Sequence, residues 1–170
     1  MQKIIKFRPI YKEKIWGGRK LETHLHRDLP SGNIGESWEI SDYGDDISIV
    51  DNGELKGKSF QECYRIYPKE ILGENFDFRK GFPLLIKIID ASQNLSIQVH
   101  PDDAYASKHD PKNSGKKEAW YVLQSDLGSS IICGFSRETN KAEYEKLVLE
   151  NKAENILQKI SPSAGDAFLI

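Results

Sequence analysis

The sequence predicts a mainly β fold, a sandwich or barrel of short strands into which short helices are inserted. Many segments are rich in β-branched and aromatic residues, and turn residues separate them at short intervals. Helical patterns, by contrast, are short and few. The 170 residues suffice for one domain with its own core, so we expect a single domain over residues 1–170.

Several segments have the pattern of β-strands. Residues 83–90 form a nearly continuous apolar run, which is typical of a strand buried on both faces. Asn52-Gly53 predicts a tight turn after an apolar segment. The other predicted strands are residues 2–7, 35–41, 46–50, 95–99, 118–123, 131–135 and 167–170.

Two helical insertions are predicted, near residues 59–73 and 140–158. A Ser-Phe-Gln-Glu sequence beginning at Ser59 has the spacing of a capping box, in which the first and fourth residues satisfy each other's backbone N–H groups. A segment with the same spacing begins at Asn140. We expect a further short helix after Pro101, inside a polar loop.

Charge and composition exclude several classes of function. The chain has 24 Lys and Arg against 26 Asp and Glu, a net charge of −2, whereas a sequence-independent nucleic-acid binder needs a basic surplus. No stretch has the ~20 apolar residues that cross a bilayer, and the N-terminus lacks the apolar region of a signal peptide. Only Cys63 and Cys133 occur, and we expect both to be reduced thiols of a cytoplasmic protein.

A row of polar residues on a predicted strand is the first candidate for chemistry. Ser96, Gln98 and His100 alternate with apolar residues, so on a strand they share one face. Glu118 begins a later predicted strand and could face the same cavity. An imidazole, a carboxylate and an amide oxygen suit Zn²⁺. The alternative is that His100 is a hydrogen-bonded structural residue at a strand end.

The other histidines are expected to have no such role. His24 and His26 share the same spacing but lie in a stretch rich in charged residues, where we expect both to be exposed. His109 is expected to be a solvated loop residue.

Lysines supply the second group of candidates. Lys87 lies inside the apolar run of residues 83–90, where a charge is costly unless it meets an opposite charge or lines a cavity. The alternative is a lysine that extends its ammonium group to water from near the strand end. Lys116 and Lys117 precede Glu118, and from spacing alone they are a solvated loop pair.

Four segments together resemble the type I phosphomannose isomerases, particularly the short bacterial form. The resemblance covers the whole chain but only about the first half of a family member, and residues 165–170 resemble the start of the family's second cupin motif. The segments are Ile15-Trp16-Gly17-Gly18, Gly35-Glu36-Ser37-Trp38-Glu39-Ile40-Ser41, Leu95-Ser96-Ile97-Gln98-Val99-His100-Pro101-Asp102 and Lys116-Lys117-Glu118-Ala119-Trp120-Tyr121.

The resemblance implies a cupin-type antiparallel β-barrel, or jelly roll, and a zinc-dependent isomerase. Its implied reaction interconverts mannose 6-phosphate and fructose 6-phosphate, with one Zn²⁺ per chain and a small sugar phosphate as the partner. By resemblance, the zinc ligands are Gln98, His100 and Glu118. The substrate-binding residues are Ser96 and Lys87, and the catalytic lysine is Lys116. The catalytic base stays unassigned, and no oligomeric state is predicted.

The sequence also departs from the family pattern. The family completes its zinc shell with a histidine just beyond the second cupin motif and uses a later arginine in catalysis, and neither lies within these 170 residues. Residue 170 falls in the middle of a predicted strand, so we expect a chain truncated before the barrel closes. The alternative function is a non-catalytic cupin module that binds a metal or a sugar phosphate.

Overall fold

The computed structural model describes residues 4–77, 79, 81–111 and 114–170. The chain divides into two compact units, residues 1–95 and 96–170, which are described separately. The prediction of one domain over residues 1–170 stays a prediction.

Among its described residues, the first unit has short strands and three short α-helices. Its elements are β1 (Ile10–Gly18), α1 (Lys20–Thr23), β2 (Ile34–Ile40), β3 (Asp42–Tyr43), β4 (Asp46–Ile47), a 3₁₀ turn (Gly53–Leu55), α2 (Phe60–Ile66), α3 (Pro68–Leu72) and β5 (Ile86–Ile89).

The second unit has four strands and two α-helices among the described residues. Its elements are α4 (Asp103–His109), β6 (Ala119–Tyr121), β7 (Ile131–Phe135), α5 (Lys141–Leu149), a 3₁₀ turn (Ala153–Ile156), β8 (Leu157–Ile160) and β9 (Ala167–Leu169).

A three-stranded antiparallel sheet in the order β1-β2-β5 forms the centre of the first unit. Leu21, Leu29 and Ile34 form one buried apolar cluster. A second cluster contains Val50 and Cys63, where α2 covers the chain that follows β4. Apolar side chains thus hold the helices and loops against the strands that carry the polar groups described below.

The apolar run of residues 83–90 behaves differently from its prediction. Only Ile86–Ile89 form a strand, and Leu84 and Ile86 are 57% and 45% exposed. The prediction of a strand buried on both faces is therefore wrong, because β5 is an edge strand of its sheet and, among the described residues, pairs with β2 alone.

Close contacts explain two glycines of the first unit, Gly17 and Gly18. A Cβ added to Gly17 would lie 2.5 Å from the backbone nitrogen of Gly35, and one added to Gly18 would lie 2.9 Å from both carboxylate oxygens of Asp90. Asp90 in turn accepts a hydrogen bond of 2.6 Å from the backbone nitrogen of Lys20, where α1 begins. The two glycines therefore let β1 lie directly against the beginning of β2 and the end of β5.

In the second unit, β6 pairs with β9 and β7 pairs with β8, both antiparallel. Residues 95–99 belong to no strand, although the structure describes all five, so the strand predicted there is wrong. Across the described residues the strands form one three-stranded and three two-stranded sheets, and no closed barrel.

The helical predictions can be compared directly. Ser59 forms the capping box, because its hydroxyl accepts from the backbone nitrogen of Glu62 and the Glu62 carboxylate accepts from the Ser59 backbone. Asn140 caps α5 through its side chain. Residues 157–158 were expected to be helical but begin β8, since they pair with β7.

The predictions for the N-terminal strand and for three histidines can also be compared with the structure. Of the strand predicted at residues 2–7, residues 2 and 3 lie outside the described residues, and Phe7 makes only an isolated bridge to Val50. His109 lies in α4, stacked on Tyr105, and not in a loop as expected. His24 and His26 are exposed, as predicted.

Both cysteines are free thiols, as predicted, with Cys63 buried and Cys133 partly so. Burial raises the pKa of the Cys63 thiol above its usual value, and the nearby carboxylate of Glu62 adds to that effect. In the part of the chain that the structure describes, no helix is both long enough and apolar enough to cross a membrane.

The contact at Gly17 leads to a stability prediction. We expect Gly17→Ala to lower the free energy of unfolding by about 3 kcal/mol, because backbone atoms of β2 cannot move aside without disrupting the sheet. Gly44→Asn is the control, since Gly44 has a φ of 57° that asparagine tolerates and no atom within 4 Å of an added Cβ. Denaturant unfolding measures both, and equal stabilities would contradict the steric argument.

Candidate functional site

In the second unit, three of the predicted residues form a charged cluster. The Lys116 ammonium lies 2.7 Å from Oε1 of Glu118 and 3.4 Å from Nε2 of His100. Nε2 of His100 lies 3.4 Å from Oε2 of Glu118. The His100 and Glu118 side chains are only 15% and 17% exposed, whereas Lys116 is about half exposed.

Backbone hydrogen bonds hold this cluster in place. The backbone nitrogen of Lys116 donates to the carbonyl of Pro101, next to His100, at 2.9 Å. The carbonyl of Glu118 accepts from the backbone nitrogen of Ile170 at 2.8 Å, which continues the β6–β9 ladder. The residues therefore meet because the loop before β6 pairs with the chain that follows His100.

The Glu118 carboxylate is kept ionised by its surroundings. Burial raises its pKa, but hydrogen bonds from Lys116 and Trp120 and the charges of Lys116 and His100 outweigh burial and lower the pKa below its usual value. The indole Nε1 of Trp120 donates to Oε2 at 3.2 Å. A negative carboxylate beside an imidazole is suited to hold a cation.

The geometry of His100 and Glu118 can be tested against a zinc ion. Two ligands that each lie about 2.1 Å from a tetrahedral ion are about 3.4 Å apart. The His100 and Glu118 donor atoms have this separation, and the Lys116 ammonium is a cation already held against both. The donors therefore fit two positions of a zinc shell. The described residues contain no group of three or more His, Cys, Asp or Glu placed to hold a metal.

Gln98 and Ser96 are hydrogen-bonded to each other and exposed. The Gln98 amide nitrogen donates to the Ser96 hydroxyl at 3.1 Å, which leaves the amide oxygen as the atom suited to a metal. This contact agrees with the prediction that the two side chains lie on the same side of the chain, although neither residue belongs to a strand. Their assignment to metal and substrate stays a prediction.

In the first unit, Lys87 meets an opposite charge. Its ammonium lies 3.0 Å from Oε1 of Glu36, and the Lys87 side chain is 24% exposed. Oε2 of Glu36 accepts a 2.8 Å hydrogen bond from the indole of Trp38. Of the two interpretations of Lys87, the structure has the one in which the lysine meets a charge.

The sheet register brings these side chains together. Trp38 on β2 is paired with Lys87 on β5, and Glu36 is paired with Lys12 on β1. Paired residues share a face of a sheet. Lys12 extends over the Trp38 ring, 4.7 Å from its centre, and also contacts Asp46 at 2.6 Å.

Glu36 is the residue of this group that the sequence analysis missed. It is 7% exposed. Burial raises the pKa of its carboxyl, but hydrogen bonds from Trp38 and Lys87 and the charges of Lys87 and Lys14 lower it overall. The sequence pattern that could have identified Glu36 is a glutamate two residues before a tryptophan, on a strand whose sequence predicts that it is largely buried.

Comparison with known proteins gives consistent results. The chain matches the family described as phosphomannose isomerase type I, catalytic domain, over residues 4–125. It is 40% identical over 158 residues to a mannose-6-phosphate isomerase of Streptococcus mutans, covering 93% of this chain and 48% of that protein. It is 35% identical over 164 residues to mannose-6-phosphate isomerase ManA of Bacillus subtilis, covering 96% and 50%.

A solved structure is similar as well. The crystal structure of the mannose 6-phosphate isomerase from Bacillus subtilis superposes with a TM-score of 0.87 at 34% identity, covering 98% of this chain and 52% of that one. The prediction of a mainly β, cupin-type fold is thereby confirmed. The chain spans about half the length of the curated relatives that it matches.

The burial of Glu36 leads to a prediction about pH. We expect Glu36→Gln to lower the free energy of unfolding by about 1–2 kcal/mol at pH 7, since one charge-assisted bond is lost. The folded-state pKa of Glu36 is depressed, so its contribution is present above the ordinary glutamate pKa of about 4.3 and is lost as the pH falls through the folded-state value. Denaturant unfolding of both proteins between pH 7 and pH 3 measures this, and a difference independent of pH would contradict it.

Proposed function

The chain belongs to the type I phosphomannose isomerase family, and from that premise we propose that it interconverts mannose 6-phosphate and fructose 6-phosphate in a zinc-dependent reaction. The observation that carries the proposal is the His100–Glu118 pair, whose donor atoms have the separation of two ligands on one tetrahedral ion. The relatives named mannose-6-phosphate isomerase support the substrate class.

We assign the metal to His100, Glu118 and Gln98, with one zinc ion per chain. A bound zinc ion would polarise the sugar oxygens and stabilise the negative charge that develops as the aldose becomes an enediol. His100 and Glu118 would supply a neutral nitrogen and a carboxylate oxygen, and Gln98 would supply its amide oxygen. With zinc bound, the Lys116 ammonium would have to leave its position against His100.

Lys116 is the proposed catalytic residue of the chain. Its ammonium is held by Glu118 while remaining half exposed, so Nζ can reach a substrate oxygen without a large rearrangement. A lysine in this position can donate a proton or a hydrogen bond to an oxygen that gains charge. The group that removes the carbon-bound proton remains unassigned.

Lys87 and Ser96 are the proposed substrate-binding residues. An ammonium group needs only local positive potential to bind a phosphate, which agrees with a chain whose net charge is −2. The Ser96 hydroxyl, which accepts from Gln98, can still donate its own hydrogen. We further propose that the protein works in the cytoplasm on this small soluble substrate, and that neither nucleic acid nor membrane is a partner.

A second candidate function needs fewer groups than the isomerase. The base of the reaction is unassigned, whereas two donors for a cation and an ammonium group for a phosphate are present. A module that binds zinc or mannose 6-phosphate without turnover would require only the groups described above.

An assay of the purified chain separates the two candidates. Zinc-loaded protein is incubated with mannose 6-phosphate, fructose 6-phosphate formation is followed, and ligand binding is measured by calorimetry on the same sample. Turnover that disappears after chelation and returns with zinc supports the isomerase. Binding without turnover supports the module, and the absence of both contradicts the two candidates.

The metal assignment predicts the behaviour of one histidine variant. We expect His100→Ala to abolish stoichiometric zinc binding, because it removes one of the two donors that are already at the separation required by the ion. Calorimetric titration of metal-stripped protein with zinc measures this. His109→Ala is the control, since His109 stacks on Tyr105 in α4. One zinc still bound by His100→Ala would refute the assignment.

The role of Lys87 predicts a loss of ligand affinity. We expect Lys87→Met to weaken mannose 6-phosphate binding about tenfold or more, since a charge-assisted hydrogen bond to phosphate is lost. The fold should persist with a stability loss of about 1–3 kcal/mol, because Glu36 keeps its bond from Trp38. Calorimetry and circular dichroism at 25 °C measure the two effects. Lys141→Met, at an exposed helix position, is the control, and unchanged affinity would identify Lys87 as purely structural.

A further inference from the structure

The Glu36 carboxylate is a buried charge that the proposed reaction does not use. Both of its oxygens have a partner on the same face of the sheet, because Oε1 accepts from Lys87 at 3.0 Å and Oε2 accepts from Trp38 at 2.8 Å. A buried carboxylate without partners is costly in free energy, so both hydrogen bonds are kept. Together they fix the carboxylate in one orientation.

Lys87 is fixed in turn by this carboxylate. An ammonium group has three N–H donors, and the bond to Glu36 uses one. Among the described residues, no other hydrogen-bond partner of the Lys87 ammonium is found. Two donors therefore remain for a ligand while the third holds the ammonium group in place.

We propose that Glu36 is a positioning residue, which holds the Lys87 ammonium in place so that its two remaining donors can bind the substrate phosphate. This inference rests on the proposed function in assigning the phosphate to Lys87. It adds that the ammonium is ordered before the substrate arrives, so that binding need not immobilise a flexible lysine.

Only a carboxylate of this length satisfies both partners. A glutamine held in the same orientation presents its oxygen to Trp38 or to Lys87, and its NH₂ group, which can only donate, faces the other donor. An aspartate keeps the charge but is one methylene shorter, and it cannot reach across to the neighbouring strand in the same way. The two substitutions therefore separate position from charge.

A competing role for Glu36 predicts the opposite change in the affinity for phosphate. If Glu36 acted only as a counter-charge to Lys87, its removal would leave a stronger positive potential and would tighten phosphate binding. Positioning predicts weaker binding in both variants, including the aspartate variant, in which the negative charge remains.

The experiment measures the dissociation constant of mannose 6-phosphate for the 170-residue chain and for Glu36→Gln, Glu36→Asp and Glu39→Gln. Glu39 is the matched control, since it lies on the same strand but bonds to Arg27 and Ser37 instead. Each Glu36 substitution is repeated in the Lys87→Met background. Nuclear magnetic resonance of the Lys87 side chain without ligand, assigned by its loss in Lys87→Met, reports whether the ammonium group is ordered.

The proposal expects affinity to fall about three- to tenfold in both Glu36 variants, to stay unchanged in Glu39→Gln, and to show no further fall when Glu36 is changed in Lys87→Met. It also expects an ordered Lys87 ammonium in the unaltered chain and a mobile one in Glu36→Gln. Unchanged or tighter binding in the Glu36 variants overturns it, as does the same fall in the Lys87→Met background.

The ligand-free resonance distinguishes failure of this inference from failure of the proposed function. If the unaltered chain does not bind mannose 6-phosphate, the assigned substrate is wrong, and the order of Lys87 alone then decides the inference. An ordered ammonium that depends on Glu36 supports positioning. An ammonium as mobile as that of an exposed lysine overturns it.

Discussion

The close backbone contact between β1 and the beginning of β2 constrains the rest of the first unit. Gly17 lies so near Gly35 that no side chain fits between them. On the other side of β2, the register with the edge strand β5 places Trp38 opposite Lys87. A shift of one residue between β2 and β5 would send Glu36 and Lys87 to opposite faces. The ion pair therefore depends on the β2–β5 register, while the glycines allow β1 to pack closely on the other edge of β2.

The two charged clusters are built in the same way. Glu36 and Glu118 each accept from the indole of a tryptophan two residues later, and each binds a lysine ammonium through its other oxygen. In both cases the indole satisfies one oxygen without adding charge, and a lysine ammonium pairs with the other. The difference is that Glu118 also has His100 beside it. One arrangement thus suits a metal ion, and the other suits an anionic ligand.

Local sequence patterns predicted β2, β7, β9 and the capped helices α2 and α5, because such patterns depend on neighbours in the chain. The strand expected at residues 95–99 fails, since alternation alone supplies no partner strand. β1 (Ile10–Gly18) was not predicted, and the glycines at its end permit a close packing that local patterns do not show. Similarly, the residue types were compatible with His100 and Glu118 facing one cavity, but the role of Glu36 depends on which lysine the register brings near it, and spacing does not contain that information.

The account depends most on the claim that His100 and Glu118 hold a zinc ion. Anomalous diffraction at the zinc absorption edge, from crystals of the chain grown with zinc, tests it directly. The account predicts one peak about 2.0–2.2 Å from Nε2 of His100 and from a carboxylate oxygen of Glu118, with the Lys116 ammonium displaced. A peak bound by other residues, or none at this pair in zinc-saturated crystals, would contradict it.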